Sequence, residues 1–259
     1  MIQKEFADRA TEILKGDKDV LGLAVAGSWL TNEIDEFSDL DLILVTQNKV
    51  SGDKQKMLTY ANQLGELLSG FTGEHVGEPR VLICLYDNPL LHVDIKFLTL
   101  EEFHQRIETP HILLDIDGQL KNVLERTKPT FPYPDYQWIE DRFWIWIHYA
   151  LLKIGRGEYL EAFDFLGFLR MVVFGPLLHI KNGNLPRAVR KVETSLAAND
   201  FELLRATIPN YSKDSLLESL QNAVLLYRNL RNELFTNAVI LNNTTEGKVI
   251  KYFEEIKAA

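Results

Sequence analysis

The sequence predicts an α+β domain followed by an all-helical domain. Strand and helix patterns alternate up to about residue 130, whereas almost only helical patterns follow. Three of the nine prolines lie between the two parts, in the segment KPTFPYPDY at Pro129, Pro132 and Pro134. Because proline lacks an amide donor and disfavours helix just before it, we interpret this segment as an extended connector. We therefore predict a mixed-sheet domain over residues 1–130 and a helical bundle over residues 131–259.

The first part contains the pattern of a sheet with flanking helices. Short apolar runs bounded by turn residues indicate strands, and apolar residues with helical spacing indicate helices. The predicted elements are a helix over 3–15, strands over 21–27 and 39–45, a helix over 53–69 ending at Gly70, and strands over 80–87 and 90–98 joined at Asn88-Pro89. This order predicts a sheet of at least four strands.

The second part shows helical periodicity throughout. The predicted helices cover residues 136–155, 158–180, 186–199, 213–236 and 245–257. The most apolar stretch, 165–180, contains Arg170 and Pro176 and is shorter than the roughly 20 residues of a membrane span. It therefore indicates a buried helix or helix pair, and we expect no membrane association. The tryptophans at 138, 144 and 146 are interpreted as core packing.

Composition suggests the compartment of the protein. The single cysteine, Cys84, excludes an internal disulfide, which favours a cytoplasmic location. The first 16 residues have an amphipathic helix pattern and lack the apolar core of a signal peptide.

Charge is unevenly distributed along the 259 residues. Residues 1–128 hold 13 Lys/Arg and 22 Asp/Glu, whereas residues 129–259 hold 15 of each. A nucleic-acid-binding protein usually carries a basic stripe that neutralises phosphates, and this sequence has none. We therefore expect no nucleic-acid partner. The acidic first part would instead attract metal ions or cationic small molecules.

Two aspartates open the predicted strand DLDLILV. Asp39 and Asp41 share one side of the strand because side chains two residues apart project together. Two ionised carboxylates this close repel each other unless a positive group lies between them. Oxygen ligands of this kind are those that Mg²⁺ prefers. The pair therefore predicts a divalent-cation site.

A third carboxylate lies in the middle of the strand LLHVDIKFL. Asp94 has Val93 and Ile95 on either side, and a lone charge in such a strand is costly unless it is paired or bound to metal. If this strand lies beside the strand with Asp39 and Asp41, the three aspartates converge. Three carboxylates suffice for two metal ions in a phosphoryl or nucleotidyl transfer.

Gly27 and Ser28 follow the first predicted strand and precede a segment that could start a helix. Glycine allows close approach of the backbone, and serine can cap a helix and donate to a phosphate. Amide groups at such a start favour anions. Together with the aspartates, the pair predicts a site for Mg²⁺ and a nucleoside triphosphate.

These motifs resemble those of the DNA polymerase beta superfamily of nucleotidyltransferases. Gly27-Ser28, then ten residues, Asp39-Leu-Asp41, and Asp94 on a later strand match its signature, and a sheet domain followed by a helical domain resembles the aminoglycoside and streptomycin adenylyltransferases. The segment 151–170 also looks like a helix-turn-helix of that group. The resemblance implies transfer of AMP from ATP to a hydroxyl of a small molecule, for which an aminoglycoside-like antibiotic is a candidate.

The resemblance also implies roles for individual residues. Asp39 and Asp41 would bind both of two Mg²⁺ ions, Asp94 would complete the second metal site and help to activate the acceptor hydroxyl, and Ser28 would contact the triphosphate. Many relatives carry a basic residue soon after the Gly-Ser pair, which this chain lacks. Lys153 and Arg156 are therefore predicted to supply that charge from the helical domain.

Several alternatives remain open from the sequence. The chain could instead modify nucleic acid or protein, or be a toxin–antitoxin component or a binding module without catalysis. His92 shares the strand side of Asp94 and is interpreted as a hydrogen-bonded histidine rather than a ligand. Glu74 or Glu78, before the strand at residue 80, is a candidate general base.

Overall fold

The computed structural model describes residues 1–258, which form two units that divide between Phe131 and Pro132. We describe the first unit as the sheet unit and the second as the helical unit. The secondary structure is α+β in the sheet unit and helical in the other, as the sequence predicts.

The sheet unit has six strands and four helices. In chain order they are α1 (Ile2–Leu14), β1 (Val20–Val25), β2 (Leu40–Thr46), α2 (Lys54–Leu64), β3 (Glu66–Gly73), β4 (Glu78–Asp87), β5 (Leu91–Thr99), α3 (Leu100–Phe103), β6 (His111–Asp115) and α4 (Gln119–Arg126). The strands lie in the order β3-β4-β5-β2-β1-β6. All neighbouring pairs are antiparallel except β2 and β5, which are parallel.

One face of the sheet forms the main core of this unit. Alternate residues of β2, Leu40, Leu42 and Leu44, are buried, as the strand alternation predicts. They pack in one cluster with alternate residues of β4 and β5 and with the apolar sides of α1 and α2. A smaller cluster joins Val45 and Leu98, at the ends of β2 and β5, to α3 and α4. The starts of β2 and β5 therefore keep one face available for polar side chains.

The prediction of a helix over 53–69 was wrong in its last five residues. The helix ends at Leu64, and Gly65 has an extended backbone with φ 172°. Residues 66–73 form β3, which pairs with β4 from Glu66–Asp87 to Gly73–Glu78. Gly70 is thus a strand residue, and its position faces Leu58 of α2. Pairing with β4 prevailed over the local helical pattern.

The helical unit contains the elements α5 (Tyr136–Gly155), α6 (Tyr159–Leu169), α7 (Gly175–Lys181), α8 (Val192–Ser195), α9 (Ala198–Arg205), α10 (Lys213–Leu234) and α11 (Asn243–Ala258). A π-helical turn over Arg170–Phe174 joins α6 to α7 without a break. The helix predicted over 186–199 was wrong. Ala188 and Lys191 have positive φ angles of 49° and 57°, which interrupt a helix, so only α8 and the first two residues of α9 form within this range.

The core of the helical unit is rich in aromatic rings. Phe143 stacks on Tyr227 with ring centroids 3.6 Å apart, and Trp144 meets both rings edge-on. Glu140 is buried beside them, where it accepts hydrogen bonds from the Tyr227 hydroxyl at 2.6 Å and from the Asn242 amide at 2.9 Å. This network ties α5, α10 and the start of α11 together.

The continuous helix Tyr159–Lys181 has 23 residues and is long and apolar enough to cross a membrane. It agrees with the helix predicted over 158–180 and is longer than the apolar stretch 165–180 from which a membrane span was rejected. Half of its most apolar 18-residue segment is buried within the protein. Core helices of soluble proteins meet the same length and apolarity criteria.

Candidate functional site

The parallel pairing of β2 and β5 brings two of the three predicted aspartates together. Asp41 and Asp94 are direct partners in the ladder, so their side chains project from the same face of the sheet. The adjacency on which convergence of the aspartates depended is therefore present. Asp39 comes just before β2 and lies close enough to Asp94 to raise the pKa of that carboxyl by repulsion.

Asp94 is a partly buried carboxyl. Burial raises the pKa of Asp94 above its ordinary value, and His92 opposes this effect through an ion pair and hydrogen bond. The His92 Nε2 atom lies 2.9 Å from Asp94 Oδ1. His92 is therefore a hydrogen-bonded strand histidine, as interpreted from the sequence. The net result is a carboxylate whose charge is incompletely compensated.

The Gly-Ser turn packs directly on Asp41. Gly27 has a φ of +63°, which favours glycine, and a Cβ atom built there would collide with the Asp41 Oδ2 atom. Behind the turn, the Ala26 amide donates to the Asp41 carbonyl at 2.9 Å. A side chain at residue 27 would therefore displace the Asp41 carboxylate, because the turn backbone lies directly against it.

The turn itself is shorter than the sequence suggested. Gly27–Trp29 form a single 3₁₀ turn whose N-cap position is held by Ala26, so Ser28 does not cap a helix. The Gly27 amide donates to Glu108 Oε1 at 3.0 Å. This amide is therefore already hydrogen-bonded to an anionic group, the carboxylate of Glu108. Glu108 lies in the segment before β6, and no sequence pattern pointed to it.

The three aspartates have the donor chemistry of a divalent-cation site. Asp39, Asp41 and Asp94 offer only carboxylate oxygens, the donors that Mg²⁺ prefers, and Asp94 carries incompletely compensated charge. Within residues 1–258, however, no three His, Cys, Asp or Glu side chains form a ready-made metal-binding group. The donor chemistry fits Mg²⁺. Binding would require the side chains to reorient and Asp94 to exchange its contact with His92.

An ion cluster lies beside this site on β4 and β5. Lys96, two residues beyond Asp94, places its Nζ atom 2.8 Å from Glu78 Oε2, and Arg80 binds Glu78 through two hydrogen bonds at 2.6 and 2.7 Å. The Arg80 hydrogen bonds, reinforced by Lys96, lower the pKa of Glu78 to about 2. Such a carboxylate is a poor proton acceptor, which argues against Glu78 as general base. Strand alternation in HVDIK could have revealed that Lys96 shares the side of Asp94.

The predicted phosphate ligands of the helical unit already have acidic neighbours. Lys153 Nζ lies 2.8 Å from Glu158 and 3.0 Å from Glu161, and these hydrogen bonds raise its pKa. Arg156, the residue after α5, lies 4.0 Å from Glu158. Their role as triphosphate ligands stays a prediction.

Comparison with known proteins yields structural neighbours only. No protein-family model and no curated protein matches the chain. It is similar to the crystal structure of an aminoglycoside 6-adenyltransferase from Bacillus subtilis, with 18% identity, 99% of each chain covered and a TM-score of 0.42. It is also similar to a nucleotidyltransferase-like protein from Exiguobacterium sibiricum 255-15, with 12% identity, 86% of this chain and 74% of that chain covered, and a TM-score of 0.36. At such scores the functional argument rests on the residues of this chain.

Proposed function

We propose that this protein is a Mg²⁺-dependent nucleotidyltransferase that transfers AMP from ATP to a hydroxyl of a small molecule. The observation that carries the proposal is the register of β2 and β5. It places Asp41 beside Asp94 on one face of the sheet, while the Gly27 turn packs against the Asp41 carboxylate. An acidic pair and a tight backbone turn are thereby adjacent.

The proposed reaction is an in-line displacement at the α-phosphate. The acceptor oxygen forms a bond to the α-phosphorus, the bond from that phosphorus to the bridging oxygen breaks, and pyrophosphate leaves with the electron pair. The hydroxyl proton passes to a base or to water. Magnesium, when bound, would neutralise the phosphates and orient the attacking and leaving oxygens.

The residues of the sheet unit have separate roles in this proposal. Asp39, Asp41 and Asp94 would hold the metal, and Gly27 and Ser28 would contact the triphosphate. Because Glu108 now accepts from the Gly27 amide, a phosphate oxygen would have to replace the Glu108 carboxylate there. Phosphate is a suitable replacement, since both groups are anionic acceptors for a backbone N–H.

The positive charge that helps to bind the triphosphate would come from Lys96 or from the helical unit. Lys96 is on the same strand side as Asp94, and Lys153 and Arg156 are the cations predicted from the sequence. Lys153 would have to leave Glu158 and Glu161 to reach a phosphate. We place the enzyme in the cytoplasm, where ATP is available and where a free, buried Cys84 stays reduced.

A transfer assay tests the proposal. Full-length protein, Mg²⁺ and ATP labelled at the α-phosphate are incubated with a panel of hydroxyl-bearing small molecules, and labelled product is measured. We expect Asp39→Asn to lower product formation at least about 100-fold, since even outer residues of metal sites account for 10- to 100-fold effects. Asp8→Asn, at an exposed position of α1, is the matched control.

Two results would contradict the proposal. One is transfer by Asp39→Asn at the rate of the unaltered protein. The other is the absence of Mg²⁺-dependent binding of any of the four nucleoside triphosphates, which would favour a binding module without catalysis.

A further inference from the structure

The face of the sheet that carries the aspartates continues into an apolar surface. Phe71 of β3 pairs with Ile83 of β4, Ile83 pairs with Asp94 of β5, and Asp94 pairs with Asp41 of β2. Partners in a ladder project to the same side of the sheet, so these four side chains form one row. The row changes from apolar to acidic between Ile83 and Asp94.

A parallel row adds a third apolar residue. Leu85 of β4 pairs with His92, the residue that contacts Asp94. We call Phe71, Ile83 and Leu85 together the apolar platform. Its members lie on β4, which is next to β5, and on β3, the edge strand beyond β4.

The apolar platform faces away from the core of the sheet unit. The opposite side of β3 and β4 carries Gly70, Leu82 and Cys84, and the Gly70 position faces Leu58 of α2. Phe71 is 48% exposed and Leu85 is 38% exposed, although strand residues with such side chains are usually covered. A contiguous exposed apolar surface beside a polar site is typical of a binding surface.

We propose that the apolar platform binds the acceptor, and that the acceptor is a small molecule with an apolar ring or branched aliphatic part. This inference rests on the proposed function, because the reactive hydroxyl must lie at the aspartates. Phe71 and Asp94 are two strand spacings apart, or about 10 Å. The apolar part of the acceptor would therefore lie up to about 10 Å from its hydroxyl.

Charge complementarity limits where the acceptor carries charge. The platform residues themselves are uncharged, whereas Asp41 and Asp94 are at the other end of the row. A cationic group on the acceptor would be favoured only near the hydroxyl, beside the aspartates. A sugar that is polar and cationic over its whole length would find neither a hydrogen-bond partner nor an opposite charge on Phe71 and Ile83. The surface thus favours an amphiphilic acceptor.

Methyl NMR on the full-length protein tests this inference. The probes are 2-phenylethanol and cyclohexylmethanol, with glucosamine as the polar cationic comparison. We expect saturable shifts of the Ile83 and Leu85 methyl resonances with both alcohols and much smaller shifts with glucosamine. Phe71→Ser should weaken the apparent affinity for the alcohols at least fivefold, and Leu85→Ser serves as the second variant.

Leu68→Ser is the matched control, because Leu68 is 52% exposed on the same strand and lies outside the row. It should change the affinity less than twofold. The inference is overturned if neither alcohol gives a saturable shift, if both platform variants bind like the unaltered protein, or if glucosamine shifts these methyls as strongly. It is also overturned if the methyl shifts depend on protein concentration without a probe, since a second copy would then cover the face.

The same samples separate failure of this inference from failure of the proposed function. They are titrated with a non-hydrolysable ATP analogue in the presence and absence of Mg²⁺. Loss of alcohol binding with intact Mg²⁺-dependent nucleotide binding would show that the apolar platform does not bind the acceptor. The transferase proposal would then still stand. Absence of nucleotide binding with intact alcohol binding would show that the transferase proposal fails; the apolar platform would then still bind apolar alcohols, but they could not be called acceptors.

Discussion

Negative charge is compensated differently at the three aspartates and in the neighbouring ion cluster. Glu78 is held by Arg80 and Lys96, and its pKa falls to about 2. Asp94, on the adjacent strand, is raised in pKa by burial and by Asp39, with only His92 in opposition. The first carboxylate is neutralised within the chain, whereas the second retains charge that a bound cation would compensate. The difference separates a structural ion cluster from a candidate ligand site.

The largest effect is expected when the Gly-Ser turn is pushed away from the aspartates. Gly27→Ala places a methyl group against Asp41 Oδ2 and forces a positive φ on alanine. Backbone strain and overpacking together should lower the free energy of unfolding by about 2 to 4 kcal/mol. Chemical denaturation measures this change. Gly52→Ala is the control, because its φ is +91° but nothing lies within 4 Å, so only the strain remains.

A smaller effect is expected when the ion cluster loses its carboxylate. Glu78→Gln should lower the free energy of unfolding by about 1 to 3 kcal/mol at neutral pH, since partly buried Arg80 and Lys96 lose a charged partner. Because the folded pKa of Glu78 is depressed from 4.5 to about 2, its contribution is complete above about pH 4.5. The contribution disappears as the pH falls towards 2.

Denaturation curves between pH 2 and pH 7 measure this dependence. The two proteins should differ by a constant amount above about pH 4.5 and converge near pH 2. Glu12→Gln, at an exposed position 4.0 Å from Lys15, should show almost no difference at any pH. A difference for Glu78→Gln that persists unchanged to pH 2 would mean that the ion cluster does not depress this pKa.

The smallest effect should have the opposite sign. Asp94→Asn removes a carboxylate that the metal-free protein disfavours, so the free energy of unfolding should rise by about 0.5 to 1 kcal/mol. Thermal denaturation in the presence of a chelator measures it. If Asp94→Asn is destabilising there, His92 compensates the charge fully and the contrast with Glu78 is lost.

Local patterns predicted the elements that bring the aspartates together. Alternation of apolar residues located β2 and β5, and the adjacency of these strands followed as a condition for convergence of Asp39, Asp41 and Asp94. The second helix was overextended because residues 66–69 also fit a helical pattern, and only pairing with β4 makes them a strand. β6 was missed because its five residues acquire their role by pairing with β1, far away in the sequence.

The contacts around the site were harder to predict from the sequence than its acidic residues. The contact of Glu108 with the Gly27 amide joins residues 81 apart in the sequence, and no spacing rule connects them. The apolar platform depends on the register of three strands, one of which was predicted as helix. Such features arise from strand order, which periodicity does not specify. The residues of the motif could be recognised from the sequence, but the residues that they contact could be identified only from the fold.

The most direct test of the metal–triphosphate site is calorimetric titration with a non-hydrolysable ATP analogue, with and without Mg²⁺. Binding should require Mg²⁺, be lost in Asp41→Asn and be retained in Glu78→Gln, because only the first variant removes a proposed metal ligand. Binding that is independent of Mg²⁺, or that Asp41→Asn leaves unchanged, would contradict the assignment of the three aspartates as a metal–triphosphate site.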